Sequence, residues 1–212
     1  MSHDIILLRH GLSTANRDQI VQGQIDFALA EEGHHQSQLL AQYWASMQVH
    51  FDKIISSPLA RAKETAQIIG EILNSEIVLD AIWMERRLGA AQGVDYETVR
   101  AWYEDRPLPS PYEPSFEDGE SAWDLFLRAG EAVQSVLQMP AGSYLVVSHG
   151  AFLNAALRVI IGLAPASGRI LPVRFRFDNT GFAELNFDKE MARWTVIRSN
   201  ATPHIHQEGN ST

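Results

Sequence analysis

The chain has 212 residues, no cysteine and a formal net charge of -9. That length suits one domain with a substantial core, and the missing thiols exclude disulfides, thiolate metal sites and cysteine nucleophiles. The acidic balance argues against broad affinity for nucleic acid or anionic membrane. No apolar run approaches the roughly 18 residues of a membrane span, so a cytoplasmic location is the expectation.

Asp4 to Leu8 is a short apolar run that predicts a buried strand, and it stops at Arg9-His10-Gly11, residue types that gain nothing from apolar burial. Two readings fit this break. In one, Arg9 and His10 begin a solvated loop that uses the permissive backbone of Gly11. In the other, a strand tip presents an imidazole beside a fixed cation, with Ser13 and Asn16 as hydrogen-bond donors to an anion. Arg17 to Leu29 reads as loop, with Gln22, Gly23 and Gln24 offering amides near that tip.

Glu31 to Met47 is a predicted helix, with Leu39, Leu40, Tyr43 and Trp44 at helical spacing. His34 and His35 point in different directions on such a helix, which favours a solvated face over a metal site. Phe51 to Ile55 predicts a second strand, and Ser56-Ser57-Pro58 suits the capped start of a helix from Leu59. Arg61 then stands at the positive end of that helix, where either an anion facing it or a surface ion pair accounts for it.

Ile77 to Leu79 is a short strand, followed by a connection rich in ionisable groups, Trp83-Met84-Glu85-Arg86-Arg87-Leu88-Gly89. A helix over Val94 to Tyr103 leads into residues 104–120, whose four prolines with Tyr112 and Phe116 suggest a lid or pocket wall. Ser121 to Met139 is an amphipathic helix. Ser143 to Ser148 is a strand that again runs into His-Gly, at His149-Gly150, before a helix over Ala151 to Ile161. In open α/β sheets ligands gather at the carboxyl ends of strands, so two such tips point to one site. Val173 to Phe177, Phe182 to Phe187 and Trp194 to Arg198 read as strands, and they offer an edge for pairing as a homodimer. Residues 1–198 are expected to form the domain, and the polar stretch from Ser199, with His204 and His206, to be disordered.

Four features in this order make the sequence resemble the histidine phosphatase superfamily, in its phosphoglycerate-mutase-like form: Arg9-His10-Gly11 with Ser13 and Asn16; Ser56-Ser57-Pro58-Leu59-Ala60-Arg61-Ala62 with Thr65; Glu85 followed by Gly89; and Ser148-His149-Gly150. Gly119-Glu120-Ser121 and Asn179-Thr180 are also similar to family segments. The resemblance implies a three-layer α/β/α sandwich with a mostly parallel central sheet. It implies a small phosphorylated substrate, with His10 as nucleophile and Arg9, Arg61 and His149 cradling the phosphate. Asn16, Gly23, Ser13, Gln22 and Gly150 would line the same pocket. Glu85 would protonate the leaving oxygen and then activate water, although an ion pair with Arg86 or Arg87 is the bland account of it. No cofactor and no metal are implied, because arginines take the charge-neutralising role.

Glu85 to Gly93 is closer to the mutase form of this motif than to the phosphatase form. Against that, Leu88 stands where the cofactor-dependent mutases carry a tyrosine, and Tyr96 about where they carry a substrate-binding lysine. Their arginine-bearing insertion is also missing. The expectation is therefore hydrolysis of a phosphomonoester through a phosphohistidine, with a phosphoglycerate mutase or a catalytically silent binder as alternatives. Tyr96, Trp102, Tyr112 and Phe116 are candidates for the wall of a leaving-group pocket, or else core residues.

Overall fold

The computed structural model describes residues 2–104, 110–166 and 173–205. Its elements in chain order are β1 (Ser2–Arg9), α1 (Thr14–Arg17), α2 (Glu31–Ser46), β2 (Lys53–Ser56), α3 (Ala60–Leu73), β3 (Ile77–Leu79), α4 (Tyr96–Glu104), α5 (Ala122–Leu137), β4 (Gly142–Ser148), α6 (Gly150–Ile160), β5 (Phe182–Asp188) and β6 (Arg193–Ala201). The strands form one six-stranded sheet in the order β3-β2-β4-β1-β5-β6. The first four are mutually parallel, and β5 and β6 are antiparallel to their neighbours.

Strand alternation divides the apolar residues between two faces. Ile5, Leu7, Ile55, Tyr144 and Val146 face α5 and α6, in a cluster with Ala129, Ala132, Phe152 and Leu153. Leu8, Ile54, Leu145 and Val147 point the other way, against Leu40 and Trp44 of α2 and Ala62, Ala66 and Ile69 of α3. Two helical layers therefore sandwich the central strands, which read as continuous apolar runs because both faces are covered. A third, small cluster of Val21, Ala91, Val99 and Phe116 lies outside the sandwich and forms a wall of the site described below.

Local chemistry explains where the elements start. Ser121 and Asp124 form a reciprocal capping box at α5, each side chain accepting the other's backbone amide at 3.0 Å. The amides at the start of α3 are shared: the Asp26 carboxylate accepts from Ala60 N at 2.6 Å, while Ser57 Oγ reaches only the Leu59 amide, at 3.3 Å, and lies 2.8 Å from His149 Nε2. A distant loop thus supplies the negative group that the amino end of α3 favours.

Two further expectations are corrected. Val173 to Phe177 forms no strand, because side chains take its backbone groups. Asn154 brackets the Phe175 amide and carbonyl at 2.7 Å each, and Arg9 Nη1 donates to the Phe177 carbonyl at 2.7 Å. The stretch from Ser199 is not a free tail either: β6 runs to Ala201, and His204 is buried with Nε2 2.8 Å from Thr180 Oγ1. His206 lies outside the described residues. Residues 105–109 of the expected lid also lie outside them, while its described part packs Phe116 against Trp102 and Tyr103.

Candidate active site

The parallel pairing of β1 with β4 aligns Arg9 with Ser148, so the next residue on each strand is a histidine at the carboxyl edge of the sheet. His10 N donates to the Ser148 carbonyl at 3.1 Å, and the two imidazole centroids lie 5.2 Å apart. The backbone of the first tip is held from three sides. Thr180 N donates to the Arg9 carbonyl, Asn179 Nδ2 donates to the His10 carbonyl at 3.2 Å, and Gly11 N donates to Thr65 Oγ1 on α3 at 3.0 Å.

His10 is buried, with Nδ1 2.7 Å from the carbonyl oxygen of Gly11. A carbonyl only accepts, so Nδ1 carries the proton and Nε2 keeps its lone pair. Burial first, then the charges of Arg61 and Arg9, hold this imidazole well below its ordinary range, against the opposing Gly11 hydrogen bond. His10 is therefore a neutral imidazole near pH 7 with a free Nε2.

The two guanidinium groups come from different elements. Arg61 is almost fully buried on α3 and donates to the carbonyls of Gly23 at 2.7 Å and Ile25 at 3.0 Å. Burial pulls its pKa down to about 10, opposed by Glu85 and Asp26, so it remains a cation near pH 7. The Nε atoms of both Arg9 and Arg61 are buried without a partner among the described residues. Gly23 adopts a left-handed backbone, φ 49°, and a Cβ there would collide with the side chain of Gln92. Only glycine turns the chain at the place where its carbonyl receives Arg61.

Glu85 sits opposite, at the start of α6. Its Oε1 accepts from Arg86 N at 2.8 Å and Phe152 N at 3.0 Å, and its Oε2 accepts from Ala151 N at 3.1 Å. A second layer fixes the backbone that carries it. Arg128 Nη1 donates to the carbonyls of Ile82 and Met84 at 2.8 and 2.7 Å, and its Nε and Nη2 each meet a carboxylate oxygen of Glu120 at 2.8 Å. Glu120 also accepts from Arg87 N at 2.7 Å. The bland account of Glu85 as partner of an arginine side chain thus fails, and Glu120 is the carboxylate so paired.

These groups surround a cavity of about 380 Å³ lined by Arg9, His10, Asn16, Gln22, Gly23, Arg61, Glu85 and Gly150 among the expected residues. Ser13 and His149 lie behind the wall. Ser13 is fully buried; its Oγ accepts the Asn16 amide at the start of α1 and lies 2.9 Å from Gln22 Oε1. His149 packs on His10, with burial and the neighbouring cations holding it well below the ordinary imidazole range. His149 is therefore a neutral imidazole near pH 7, and it is a third cationic donor only if protonated.

Tyr96 and Phe116 line the cavity as expected, whereas Trp102 packs in the small cluster beside it and Tyr112 is exposed and stacked on Trp123. Leu88, Tyr103 and Arg174 complete the wall. Arg174 alternates with apolar residues in Val173-Arg174-Phe175-Arg176-Phe177, the pattern of a cation beside a core that marks suspects in an acidic chain. Among the described residues, no group of three or more His, Asp or Glu is placed to hold a metal ion, and no helix is long and apolar enough to cross a membrane.

An α/β/α sandwich with paired histidines and arginines at the carboxyl edge of its sheet defines a phosphoglycerate-mutase-like histidine phosphatase fold. The chain belongs to the histidine phosphatase superfamily, branch 1, whose profile matches residues 5–202. It is 32% identical to a protein of Photorhabdus laumondii named probable phosphoglycerate mutase GpmB, over 95% of this chain and 94% of that one. The solved structure of Bacillus stearothermophilus YhfR superposes with a TM-score of 0.81 at 25% identity, covering 96% of this chain and 99% of that one. A mycobacterial glucosyl-3-phosphoglycerate phosphatase solved with VO3 superposes with a TM-score of 0.75 at 25% identity, covering 93% and 99%.

Proposed function

We propose that the chain is a metal-independent phosphatase that hydrolyses a small phosphomonoester through a phosphohistidine on His10. The observation that carries this reading is the 2.7 Å contact of His10 Nδ1 with the Gly11 carbonyl, which leaves Nε2 of a neutral imidazole free in a cavity that Arg9 and Arg61 also line. In the first half-reaction the Nε2 lone pair forms the N–P bond as the ester P–O bond breaks. Glu85 supplies the proton that the departing oxygen needs. In the second, water attacks phosphorus, the N–P bond breaks and inorganic phosphate leaves, with Glu85 taking back a proton from the water.

Charge spread over the phosphoryl oxygens in the transition state meets Arg9 and Arg61, whose forked donors match it better than lysine would. The buried, unpartnered Nδ1 of His149 is a further polar atom that a phosphate oxygen would satisfy. A bound dianion also favours a proton on His149, so the third cationic donor would arrive with the substrate.

The second reading is mutase activity, which the name of the Photorhabdus relative favours. Leu88 in the cavity wall favours hydrolysis, because an apolar side chain stands where the resemblance places the mutases' tyrosine. The deciding experiment is a phosphate-release screen over sugar phosphates, nucleotides, phosphoglycerates and phosphoamino acids, with an interconversion assay of the phosphoglycerates primed by bisphosphoglycerate. Phosphate release that disappears in His10→Ala supports the phosphatase. Interconversion without release assigns the mutase.

A further inference from the structure

Beside the site lies a second cavity of about 650 Å³, bounded by the first turns of α5, one side of α6 and residues 174–178. The two cavities share Arg9, Gly150, Ala151 and Arg174, so they meet at the mouth of the phosphate site. The second is cationic. Arg9, Arg86, Arg158, Arg174 and Arg176 line it, against one carboxylate among the described residues, Asp178. That carboxylate is engaged, since it accepts from Arg176 Nε at 2.8 Å and from Asn200 Nδ2 at 2.8 Å.

Arg158 is the informative member. It is only 6% exposed, its Nη2 donates to the Ala164 carbonyl at 3.0 Å, and its Nε has no partner among the described residues. Among the described residues no carboxylate pairs with it, and burial alone lowers its pKa. A buried guanidinium with one neutral acceptor among the described residues is costly to the folded chain, and an oxyanion offsets that cost. Concentrating five guanidinium groups on one cavity in a chain of net charge -9 sharpens the same point. Leu125 and Phe126 add apolar wall for the carbon frame of a ligand.

We propose that this cavity is a second anion subsite, which takes a carboxylate or phosphate borne by the leaving group of an ester whose scissile phosphate lies at His10. The proposal rests on the phosphatase reading and narrows it: the substrate class is phosphomonoesters of anionic leaving groups, preferred over those of neutral alcohols. Arg174, which lines both cavities, bridges the two anions, and Arg158 closes the far subsite.

The test compares kcat/KM within matched pairs, 3-phosphoglycerate against glycerol 3-phosphate and glucose 1,6-bisphosphate against glucose 6-phosphate. The anionic member of at least one pair is expected to be favoured at least tenfold. A preference in the first pair assigns a carboxylate, and in the second a phosphate. Arg158→Gln and Arg174→Ala should each reduce that preference at least fivefold. Arg174 is exposed, so its variant keeps the comparison open even where replacing buried Arg158 costs folding. Equal kcat/KM within both pairs, or a preference that neither substitution moves, overturns the proposal. If no ester is hydrolysed, the phosphatase reading fails separately. Calorimetric binding of the same pairs then decides the subsite, tenfold tighter binding of an anionic member supporting it and equal binding overturning it.

Discussion

The imidazoles of His10 and His149 lie 5.2 Å apart on adjacent parallel strands, and both are held neutral by burial and by the same two arginines. Their pKa values fall well below 6.5 in the folded chain, while the unfolded chain keeps ordinary imidazoles near about 6.5. As pH falls through that value the unfolded state takes up protons first. Stability is therefore full above about 6.5 and is lost progressively below it. Carboxylates held below their ordinary 3.8, such as Asp124 and Asp178, act only in a more acidic window. Thermal melts between pH 5 and 8 should show this slope, and the double variant His10→Asn, His149→Gln should flatten it. An equal slope in both proteins would refute the assignment.

The same neutrality bears on catalysis. A nucleophile whose pKa lies well under 6.5 stays competent in mild acid, so the acid limb of kcat/KM attributable to His10 should fall well below pH 6.5. An acid limb centred at 6.5 or above would show a protonated His10 in the free enzyme.

Replacing His10 with alanine should lower kcat by about 10³-fold or more, as expected when a nucleophile is removed and the surrounding electrostatics remain. Mass spectrometry under acid-free conditions should find a phosphoryl adduct in the wild type during turnover and none in the variant. Turnover by the variant within tenfold of wild type would remove His10 from the role.

Arg128 and Glu120 bond the backbone on either side of Glu85, at Ile82, Met84 and Arg87, and their side chains are 19% and 11% exposed. Arg128→Met leaves the carbonyls of Ile82 and Met84 without their donor and the Glu120 carboxylate with only the Arg87 amide, so a loss of about 3–5 kcal/mol is expected. Adding Glu120→Gln should return part of that stability, because the stranded charge is gone. Activity should not return with it, since the backbone of residues 82–87 still lacks its clamp. Chemical denaturation of the single and double variants, with kcat measured alongside, separates the two effects.

Asp26 caps α3 from a loop rather than from the preceding residue. Asp26→Ala should cost about 1 kcal/mol, the usual value of a lost cap, and lower the melting temperature by about 2–4 °C. An unchanged melting temperature would show that water replaces the cap without loss.

Much of the layout was legible in the chain itself. The apolar runs ending at His10 and His149 gave two strand tips, because buried strands stop where polar chemistry begins. The helical periods of α2, α5 and α6 were equally clear, since each has one face committed to the sheet. What local pattern misread were segments whose backbone groups are satisfied at long range. Val173 to Phe177 alternates like a strand, yet Asn154 and Arg9 take its hydrogen bonds. Residues beyond Ser199 are polar, yet Thr180 receives His204. Ser57 had the composition of a cap, yet it reaches only the Leu59 amide, and Asp26 takes the first helical amide, Ala60 N.

For the site, the sequence by itself determined the cast: two histidines, Arg9, Arg61 and Glu85, residue types whose chemistry suits a phosphoryl group. Only the tertiary structure decided their states and neighbours. The Arg9–Ser148 register sets the imidazoles side by side, and burial beside two cations leaves both neutral. Packing of α6 against residues 174–178 opens a cationic cavity that no local motif encodes. The physical reason is that residue type fixes what a group can do, whereas protonation and partnership depend on the field and solvent around it, and those are set by groups distant in sequence.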